Sequence, residues 1–193
     1  MRAWPPRPAR GARLPTAFLD RDGVLNHDRA GTYVTEPGQL KIYATVPAAL
    51  RLLAKKGYRL VIITNQSAVA RGYMTLAAAK AINLRLVRLL KAAGAGVDAV
   101  YFCPHGPDEG CRCRKPAPGL IEEANRDFPA DKTVSFMAGD KRSDLELGRK
   151  AGLRPFLVRT GQWRSAGKAH GAREFSSLLA LARAVPDFKR TKK

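Results

Sequence analysis

The segment from Phe18 to Gly23 constrains the fold of this chain more than any other, because an apolar run leads directly into two carboxylates and a glycine. Residues 16–19 are predicted to form a buried strand, so Asp20 lies where desolvation disfavours a charged carboxylate. Asp22 adds a second negative charge two residues later. Mg²⁺ would offset both charges, since it prefers oxygen ligands and keeps positions open for water or phosphate. Taken alone, the segment also fits a turn cap or a calcium loop.

Two carboxylates at this spacing can also carry out phosphoryl chemistry. Asp20, in line with a phosphorus atom, can attack it and form an acyl phosphate. Asp22 can protonate the departing oxygen and then deprotonate the water that hydrolyses the intermediate. The segment is therefore a candidate reaction centre, and its interpretation depends on partners supplied by the rest of the chain.

Strand and helix patterns alternate along the chain and predict an α/β fold with a Rossmann-like, doubly wound parallel sheet. Strands are predicted at residues 16–19, 59–64, 97–102, 133–138 and 154–158, and helices at 45–56, 75–93, 118–128, 143–151 and 175–185. Helices cover both faces of such a sheet, and ligands bind beyond the carboxyl ends of its strands. Asp20, Thr64 and Asp140 all fall at that end, so one pocket can receive all three.

The length of 193 residues accommodates one domain of this kind. We predict a folded domain over residues 16–186, flanked by flexible basic tails at 1–15 and 187–193. No apolar run approaches the length that crosses a bilayer, and the first residues lack the apolar core of a signal peptide. We therefore expect a cytoplasmic protein with no membrane partner. The absence of a coiled-coil pattern favours a monomer.

The formal net charge is +19, with a sequence pI near 10.6. The two tails contribute only a minority of this charge, so most of the excess lies in the predicted domain. Such a charge favours polyanions, either nucleic acid or a multiply phosphorylated small molecule. Because the basic residues are dispersed and not interleaved with aromatic residues, we favour a solvated Arg-rich surface over a nucleic-acid site.

Two polar turns provide groups that suit a phosphate. Thr64-Asn65-Gln66-Ser67 follows a predicted strand and offers a hydroxyl group and backbone N–H groups to a phosphate oxygen. Arg114 and Lys115 supply two cations. Lysine suits one phosphoryl group, while arginine can grip a second phosphate or sugar oxygens bidentately. Either turn alone would be an ordinary feature of a protein surface.

A third polar turn, Gly139 to Asp144, follows the fourth predicted strand. Asp140 can complete a Mg²⁺ site there, because carboxylates are the ligands this ion prefers. The same turn also suits the start of a helix, with Ser143 as a candidate cap and Asp144 favourable in the first turn.

The order nucleophile, hydroxyl, lysine and acid resembles the motifs of the haloacid dehalogenase-like phosphotransferases, over nearly everything from Thr16 to Thr160. The resemblance implies a fold with a minimal cap, in which Asp20 is the nucleophile and Asp22 the general acid and base. Thr64 and Lys115 would stabilise the phosphoryl group. The implied Mg²⁺ ligands are Asp20, Asp140 and the backbone carbonyl of Asp22.

The three cysteines of the chain lie close together with a histidine, at Cys103, His105, Cys111 and Cys113. This clustering does not resemble the disulfide framework of a secreted protein. Three thiolates and one imidazole form a complete tetrahedral set for Zn²⁺, and a set with no vacancy indicates a structural site. The metal would fix the loop that carries Arg114, directly after the last ligand. The alternative is a few buried thiols beside an unrelated histidine.

Together these segments are similar to those of the zinc-containing heptose 1,7-bisphosphate 7-phosphatases. The similarity implies Mg²⁺-dependent hydrolysis of the 7-phosphate of a small sugar bisphosphate. It also implies that Arg114 recognises the substrate and that the stretch from Asn26 to Tyr33, together with Lys141, contacts the sugar or its phosphates. The predicted substrate-binding residues are Asn26, Asp28, Asn65, Gln66, Ser67, Arg114 and Lys141.

Three other functions remain open at this point. Histidinol phosphatases share most of these motifs, so histidinol phosphate is the second candidate substrate. Polynucleotide 3′-phosphatases share the Asp-x-Asp, Thr-Asn-Gln and Arg-Lys-Pro themes, but they are not known for the four-ligand zinc loop. A nucleic-acid-binding protein on a phosphatase scaffold that has lost its activity would require the reaction centre to be intact by accident.

Overall fold

The computed structural model describes residues 2–4, 12–28, 31–166 and 171–188. Within these ranges one sheet contains seven strands, in the spatial order β1-β4-β3-β2-β5-β6-β7. The strands are β1 (Arg2–Trp4), β2 (Thr16–Leu19), β3 (Arg59–Asn65), β4 (Ala99–Cys103), β5 (Phe136–Gly139), β6 (Arg154–Val158) and β7 (Arg173–Phe175). Strand β1 is antiparallel to β4, and all other neighbours are parallel. The predicted α/β class and parallel sheet are confirmed.

Five α-helices of the described residues cover the two faces of the sheet: α1 (Val46–Lys55), α2 (Leu76–Ala92), α3 (Gly119–Asp127), α4 (Arg142–Lys150) and α5 (Leu178–Ala184). Successive side chains of β3 point to opposite faces, so Ile62 and Ile63 belong to different cores. The core around Ile62 contains apolar residues of α1, α2 and α5. The core around Ile63 contains those of α3 and Leu147 of α4.

Strand β2 occupies the centre of the sheet, between β3 and β5. The chain leaves β2 toward β3 and β4, and then crosses back to β5 on the other side. This reversal opens a crevice at the carboxyl ends of the strands, which is where open α/β sheets bind ligands. The turns that follow β2, β3 and β5 therefore lie together at this crevice.

The structure differs from the sequence-based prediction at both ends of the chain. Residues 2–4 form an edge strand inside the segment predicted to be a tail, while residues 5–11 lie outside the described part of the chain. Phe175, the predicted start of the last helix, instead ends β7, and α5 begins at Leu178 after the cap Ser177. Phe188, in the second predicted tail, packs edge-on against Tyr58, and residues 189–193 lie outside the described ranges.

Helix starts show where local sequence signals succeed and fail. Thr75 caps α2 as its sequence context suggests, because its hydroxyl oxygen accepts a hydrogen bond from Ala78 N at 3.1 Å. The prediction for Ser143 is wrong, since α4 already begins at Arg142. The carboxylate of Asp144 accepts the hydrogen bond from Lys141 N at 3.0 Å and closes the first turn instead. No helix in the described ranges is both long and apolar enough to span a membrane.

Candidate active site

A cavity of about 270 Å³ lies at the carboxyl edge of the sheet and brings most of the predicted site residues together. The predicted residues that line it are Asp20, Asp22, Asp28, Thr64, Asn65, Gln66, Ser67, Arg114, Lys115 and Lys141. Asn26 and Asp140 are buried beside this lining, where Asn26 contacts Asp22 and Asp140 lies near Asp20.

The ammonium group of Lys115 lies at the floor of the cavity between two buried carboxylates. Its Nζ is 2.6 Å from Oδ1 of Asp20 and 2.6 Å from Oδ1 of Asp144. Although burial lowers the pKa of Lys115, the charges of Asp144 and Asp20 raise it above the ordinary value. Burial raises the pKa of Asp20 to about 6, despite the opposing effect of Lys115. Lys115 therefore keeps its charge next to the predicted nucleophile.

Asp140 is fully buried and enclosed by two glycines. Gly23 and Gly161 both have positive φ angles, of 91° and 55°, and a Cβ atom at either position would collide with the Asp140 carboxylate. Gln162 N donates to its Oδ2 at 2.7 Å, while its Oδ1 has no hydrogen-bond partner among the described residues. Burial and the charges of Asp20 and Asp144 raise its pKa to about 8.

These carboxylates fit a divalent cation. Carboxylate oxygens of Asp20, Asp140 and Asp144 lie within 4.8 Å of one another in the buried interior. The buried, unpaired oxygen of Asp140 and the raised pKa values of Asp20 and Asp140 mark a place where a hard cation would offset buried negative charge. Asp144 is an acidic member of this cluster that the sequence suggested only as a favourable residue in a helix turn.

Asp22 is held in a different environment from Asp20. Arg21 contacts both of its carboxylate oxygens, with Nη2 at 2.9 and 2.8 Å and Nε at 3.1 Å. Asn26 Nδ2 and Gln66 Nε2 each donate a further hydrogen bond at 2.9 Å. Although burial raises the pKa of Asp22, Arg21 and the two amides lower it below the ordinary value. The two aspartates of the motif therefore have pKa values shifted in opposite directions.

The sequence reasoning missed Arg21 and its anchor, Asn83. Arg21 is 1% exposed, and its Nη1 donates to Oδ1 of the buried Asn83 on α2 at 3.0 Å. A signal for this contact exists in the sequence, because Asn83 falls in the apolar stripe that includes Ile82 and Leu86. A polar residue at such a position needs a buried partner. Arg21, the cation next to Asp22 in the chain, was the candidate for that buried partner.

Several predicted substrate-binding side chains hold the site together in this structure. Asn65 and Lys115 exchange two hydrogen bonds, from Lys115 N to Oδ1 at 3.0 Å and from Nδ2 to Lys115 O at 3.2 Å. Asp28 accepts from Lys141 Nζ at 2.8 Å and from Gln162 Nε2 at 2.7 Å. Gln162 is a further residue that the sequence reasoning missed. The predicted direct contacts of these residues with substrate stay predictions.

Cys103, His105, Cys111 and Cys113 converge on one point beside the cavity. Sγ of Cys113 lies 3.2 Å from Sγ of Cys103, 3.5 Å from Sγ of Cys111 and 3.2 Å from Nδ1 of His105. Ligands about 2.0–2.3 Å from a tetrahedral Zn²⁺ are separated by about 3.5–3.8 Å, so the four atoms are close to the required arrangement. Burial raises the pKa of the Cys103 thiol, a cost that a bound cation would remove.

This cluster is connected to the residues that follow it. Arg114 Nη1 donates to the carbonyl oxygen of His105 at 3.1 Å. A metal held by these four side chains would thus fix the loop that carries Arg114 and Lys115 into the cavity.

Comparisons with known proteins agree with this geometry. Residues 112–178 match the HAD-hydrolase-like family. A probable D-glycero-D-manno-heptose-1,7-bisphosphate 7-phosphatase of Thermoplasma acidophilum is 44% identical over 146 residues, which are 75% of this chain and 89% of the relative. The D-glycero-beta-D-manno-heptose-1,7-bisphosphate 7-phosphatase of Pseudomonas aeruginosa is 38% identical over 171 residues, 87% of this chain and 96% of the relative.

A solved structure is also similar along most of the chain. The D,D-heptose 1,7-bisphosphate phosphatase of B. bronchiseptica, crystallised with magnesium and phosphate, is 36% identical with a TM-score of 0.81, covering 88% of this chain and 96% of that one. The sequence relatives, the fold and the residues at the carboxyl edge of the sheet all point the same way. The chain belongs to the HAD-like phosphatases, in the family of the heptose-1,7-bisphosphate 7-phosphatases.

Proposed function

We propose that this protein removes the 7-phosphate from D-glycero-D-manno-heptose 1,7-bisphosphate in a Mg²⁺-dependent reaction that passes through an aspartyl phosphate on Asp20. Relatives that carry this activity in their names cover most of the chain at 38–44% identity. The observation that carries the proposal is the contrast between two carboxylates at one cavity. Asp20 pairs with Lys115 at its floor, and Asp22 is held by a separate set of donors.

The first chemical step places negative charge on the transferred phosphoryl group, and the cavity is built to offset it. Asp20 attacks phosphorus while the ammonium group of Lys115 and the hydroxyl of Thr64 stabilise the equatorial oxygens. When bound by Asp20, Asp140 and the backbone carbonyl of Asp22, Mg²⁺ would neutralise part of the same charge. Water then hydrolyses the acyl phosphate and regenerates the free carboxylate.

Asp22 is proposed to handle the proton in both steps. It must be protonated to supply a proton to the departing C7 oxygen, and its ionised form then accepts a proton from the attacking water. Arg21, Asn26 and Gln66 favour the ionised form in the free enzyme. A phosphate dianion bound nearby has the opposite effect, because a second negative charge raises the pKa of a carboxyl group.

The remaining cations at the cavity suit the second phosphate of the substrate. Arg114 and Lys141 both line it, and Asp28 holds Lys141 by an ion pair of 2.8 Å. Arg114 can engage a phosphate bidentately, and it directly follows Cys113 of the cysteine and histidine cluster. We propose that Zn²⁺ occupies this cluster and contributes to structure and not to chemistry.

The test is phosphate release from the heptose 1,7-bisphosphate in both anomeric forms, from histidinol phosphate, and from an oligonucleotide with a 3′-phosphate. The expected result is the highest kcat/KM for one anomer of the heptose bisphosphate, with loss of turnover in Asp20→Asn and in metal-free buffer. A higher kcat/KM for histidinol phosphate would move the protein to the second candidate. Preference for the 3′-phosphorylated end, or normal turnover by Asp20→Asn, would overturn the proposal.

A further inference from the structure

The two helical layers of the protein differ in charge. Residues 37–97, which include α1 and α2, contain ten Lys or Arg residues and no Asp or Glu; nine of the ten remain when Arg59, whose guanidinium lies over the Phe128 ring in the opposite layer, is set aside. Helix α5, in the same layer as α1 and α2, also lacks an acidic residue. The opposite layer is mixed, since α3 and α4 carry Glu122, Glu123, Asp127 and Glu146 among their basic residues. The excess positive charge is therefore concentrated on one face, although the basic residues look dispersed along the sequence.

The exposed side of α2 carries four of the basic residues of that layer. Lys80, Arg85, Arg88 and Lys91 are all exposed along it, and we call these four residues the α2 basic face. Among the described residues none of them forms an ion pair. Arg85 and Arg88 are three residues apart, as are Arg88 and Lys91, so like charges repel along the helix. An anionic partner would relieve this repulsion.

Helix α1 extends the positive charge at the carboxyl end of α2. Arg51 is exposed, and its Nη1 donates to the carbonyl oxygen of Ala93 at 2.6 Å. This contact fixes a fifth positive charge beside the last turn of α2. The positive surface is thus attached to regular, packed helices and not to a loop.

We propose that the α2 basic face binds the phosphate backbone of a nucleic-acid duplex. The eleven residue steps from Lys80 to Lys91 rise about 16 Å along the helix, which matches about four to five phosphates of one strand at about 3.4 Å each. Arginine suits this partner because its guanidinium group can grip a phosphate bidentately. The contact would be independent of base sequence, since backbone contacts carry no sequence information directly.

The positions of the exposed apolar side chains argue against two other polyanionic partners, single-stranded nucleic acid and membrane surfaces. The large exposed hydrophobic side chains of the described residues are Tyr33 and Tyr73, whose rings lie 5.6 Å apart. Tyr33 lines the cavity, so this pair is at the substrate entrance and not on the α2 basic face. Single strands are bound by stacking bases on aromatic rings, and membrane surfaces by inserting apolar side chains. The α2 basic face includes neither an aromatic ring for stacking nor a large apolar side chain for insertion.

The proposed surface is separate from the catalytic cavity. The residues that line the cavity include none of Lys80, Arg85, Arg88 and Lys91. Binding of a duplex therefore leaves the phosphatase site accessible. This differs from the polynucleotide phosphatase hypothesis, in which the nucleic-acid end enters the cavity as substrate.

The test compares two full-length variants that each lose four positive charges. One carries Lys80→Gln, Arg85→Gln, Arg88→Gln and Lys91→Gln. The matched control carries Arg126→Gln, Lys132→Gln, Arg149→Gln and Lys150→Gln, which are exposed on the opposite layer. Fluorescence anisotropy with a labelled DNA duplex of about 20 base pairs gives Kd over a series of salt concentrations. Turnover of the sugar bisphosphate and thermal melting show whether each variant is folded.

We expect the α2 variant to lose about tenfold or more in duplex affinity. The plot of log K against log salt should become less steep, with the magnitude of its negative slope smaller by about two to four. In the control variant, the loss in log K and the change in slope should each be less than a third of those in the α2 variant. Equal losses in both variants would show that binding depends on total charge and would overturn the proposal. So would tighter binding to single-stranded DNA, or dependence on the α2 basic face for phosphatidylglycerol vesicles only. Anisotropy does not depend on turnover, so failure of the proposed catalytic function would be seen separately.

Discussion

Lys115 Nζ lies 2.6 Å from Oδ1 of Asp20, although the two residues are far apart in the sequence. The contact exists because Asp20 follows the central strand and Lys115 enters the same crevice from the loop after β4. Both side chains are almost fully buried. An ion pair in this position balances buried charge and holds the lysine beside the carboxylate that we propose as the nucleophile.

Replacement of Lys115 by methionine should reduce both stability and activity. Asp20 and Asp144 would lose their shared counterion, and breaking a buried pair in this way costs about 3–5 kcal/mol in the free energy of unfolding. Loss of a charge that stabilises the transition state should lower kcat by about 10²–10³-fold or more. Urea unfolding at neutral pH and initial rates measure the two effects. Lys41→Met, at an exposed position, should change neither; an unchanged kcat in Lys115→Met would contradict the assignment.

Replacement of Asn83 by leucine should impair catalysis through Arg21. The variant keeps a similar volume but removes the acceptor of Arg21 Nη1, and an unsatisfied buried donor costs about 1–3 kcal/mol. A displaced Arg21 no longer fixes Asp22, so kcat should fall by up to about 10²-fold while KM changes little. Asn83→Asp retains the acceptor oxygen and should keep kcat near the wild-type value. Equal rates in Asn83→Leu and wild type would show that Asn83 only fills space.

Loss of the metal cluster should affect substrate binding more than the chemical step. Cys113→Ala removes one of four ligands directly before Arg114, so the loop with Arg114 should lose its fixed position. We expect metal analysis to find one zinc per wild-type chain and little in the variant, with a lower Tm and a KM raised more than kcat is lowered. His27→Ala, which changes a histidine outside the cluster, should retain the zinc. Wild-type protein without zinc but with normal KM would contradict this prediction.

Mg²⁺ should stabilise the protein more at alkaline than at acidic pH. The pKa of Asp140 is raised from 3.8 to about 8 in the folded protein, so folding favours its protonated form. In metal-free protein that contribution is fully present below about pH 4 and is lost as the pH rises through about 8. Mg²⁺ requires the ionised carboxylate, and its binding therefore releases protons.

Calorimetry with a chelator and with excess Mg²⁺ measures this linkage. The increase in Tm caused by Mg²⁺ should be larger at about pH 8 than at about pH 6, because less proton release is then needed. In Asp140→Asn the increase should be small at both pH values. A pH-independent increase in the wild-type protein would rule out Asp140 as a ligand whose ionisation is coupled to binding.

Sequence reasoning predicted the parts of this protein that depend on local patterns. The bounds of β2 and β6 agree with the predicted strands, because short apolar segments at regular spacing between helices have few alternatives in an α/β fold. The convergence of Asp20, Thr64 and Asp140 followed from a topological rule, since the strands are parallel and their carboxyl ends meet at one edge. The family followed from the same motifs.

Local patterns did not predict side chains whose partners are distant in the sequence. Asp144 looks like a residue of a first helical turn, and it does accept a hydrogen bond from Lys141 N, but its second oxygen contacts Lys115. One side chain thus serves two functions, of which only the local one has a sequence signature. Strand β7 is similar, because its three residues are a strand only through their pairing with β6.

By itself, then, the sequence determined the fold class, the order of the candidate catalytic groups and the four candidate zinc ligands, because each is encoded in residues that are close along the chain. Tertiary structure decided which acids cluster beside the cavity, that Asn83 holds Arg21, and that four exposed basic residues share one side of α2. These features depend on crossovers that bring separate elements into contact, and on the face of the sheet that each helix covers.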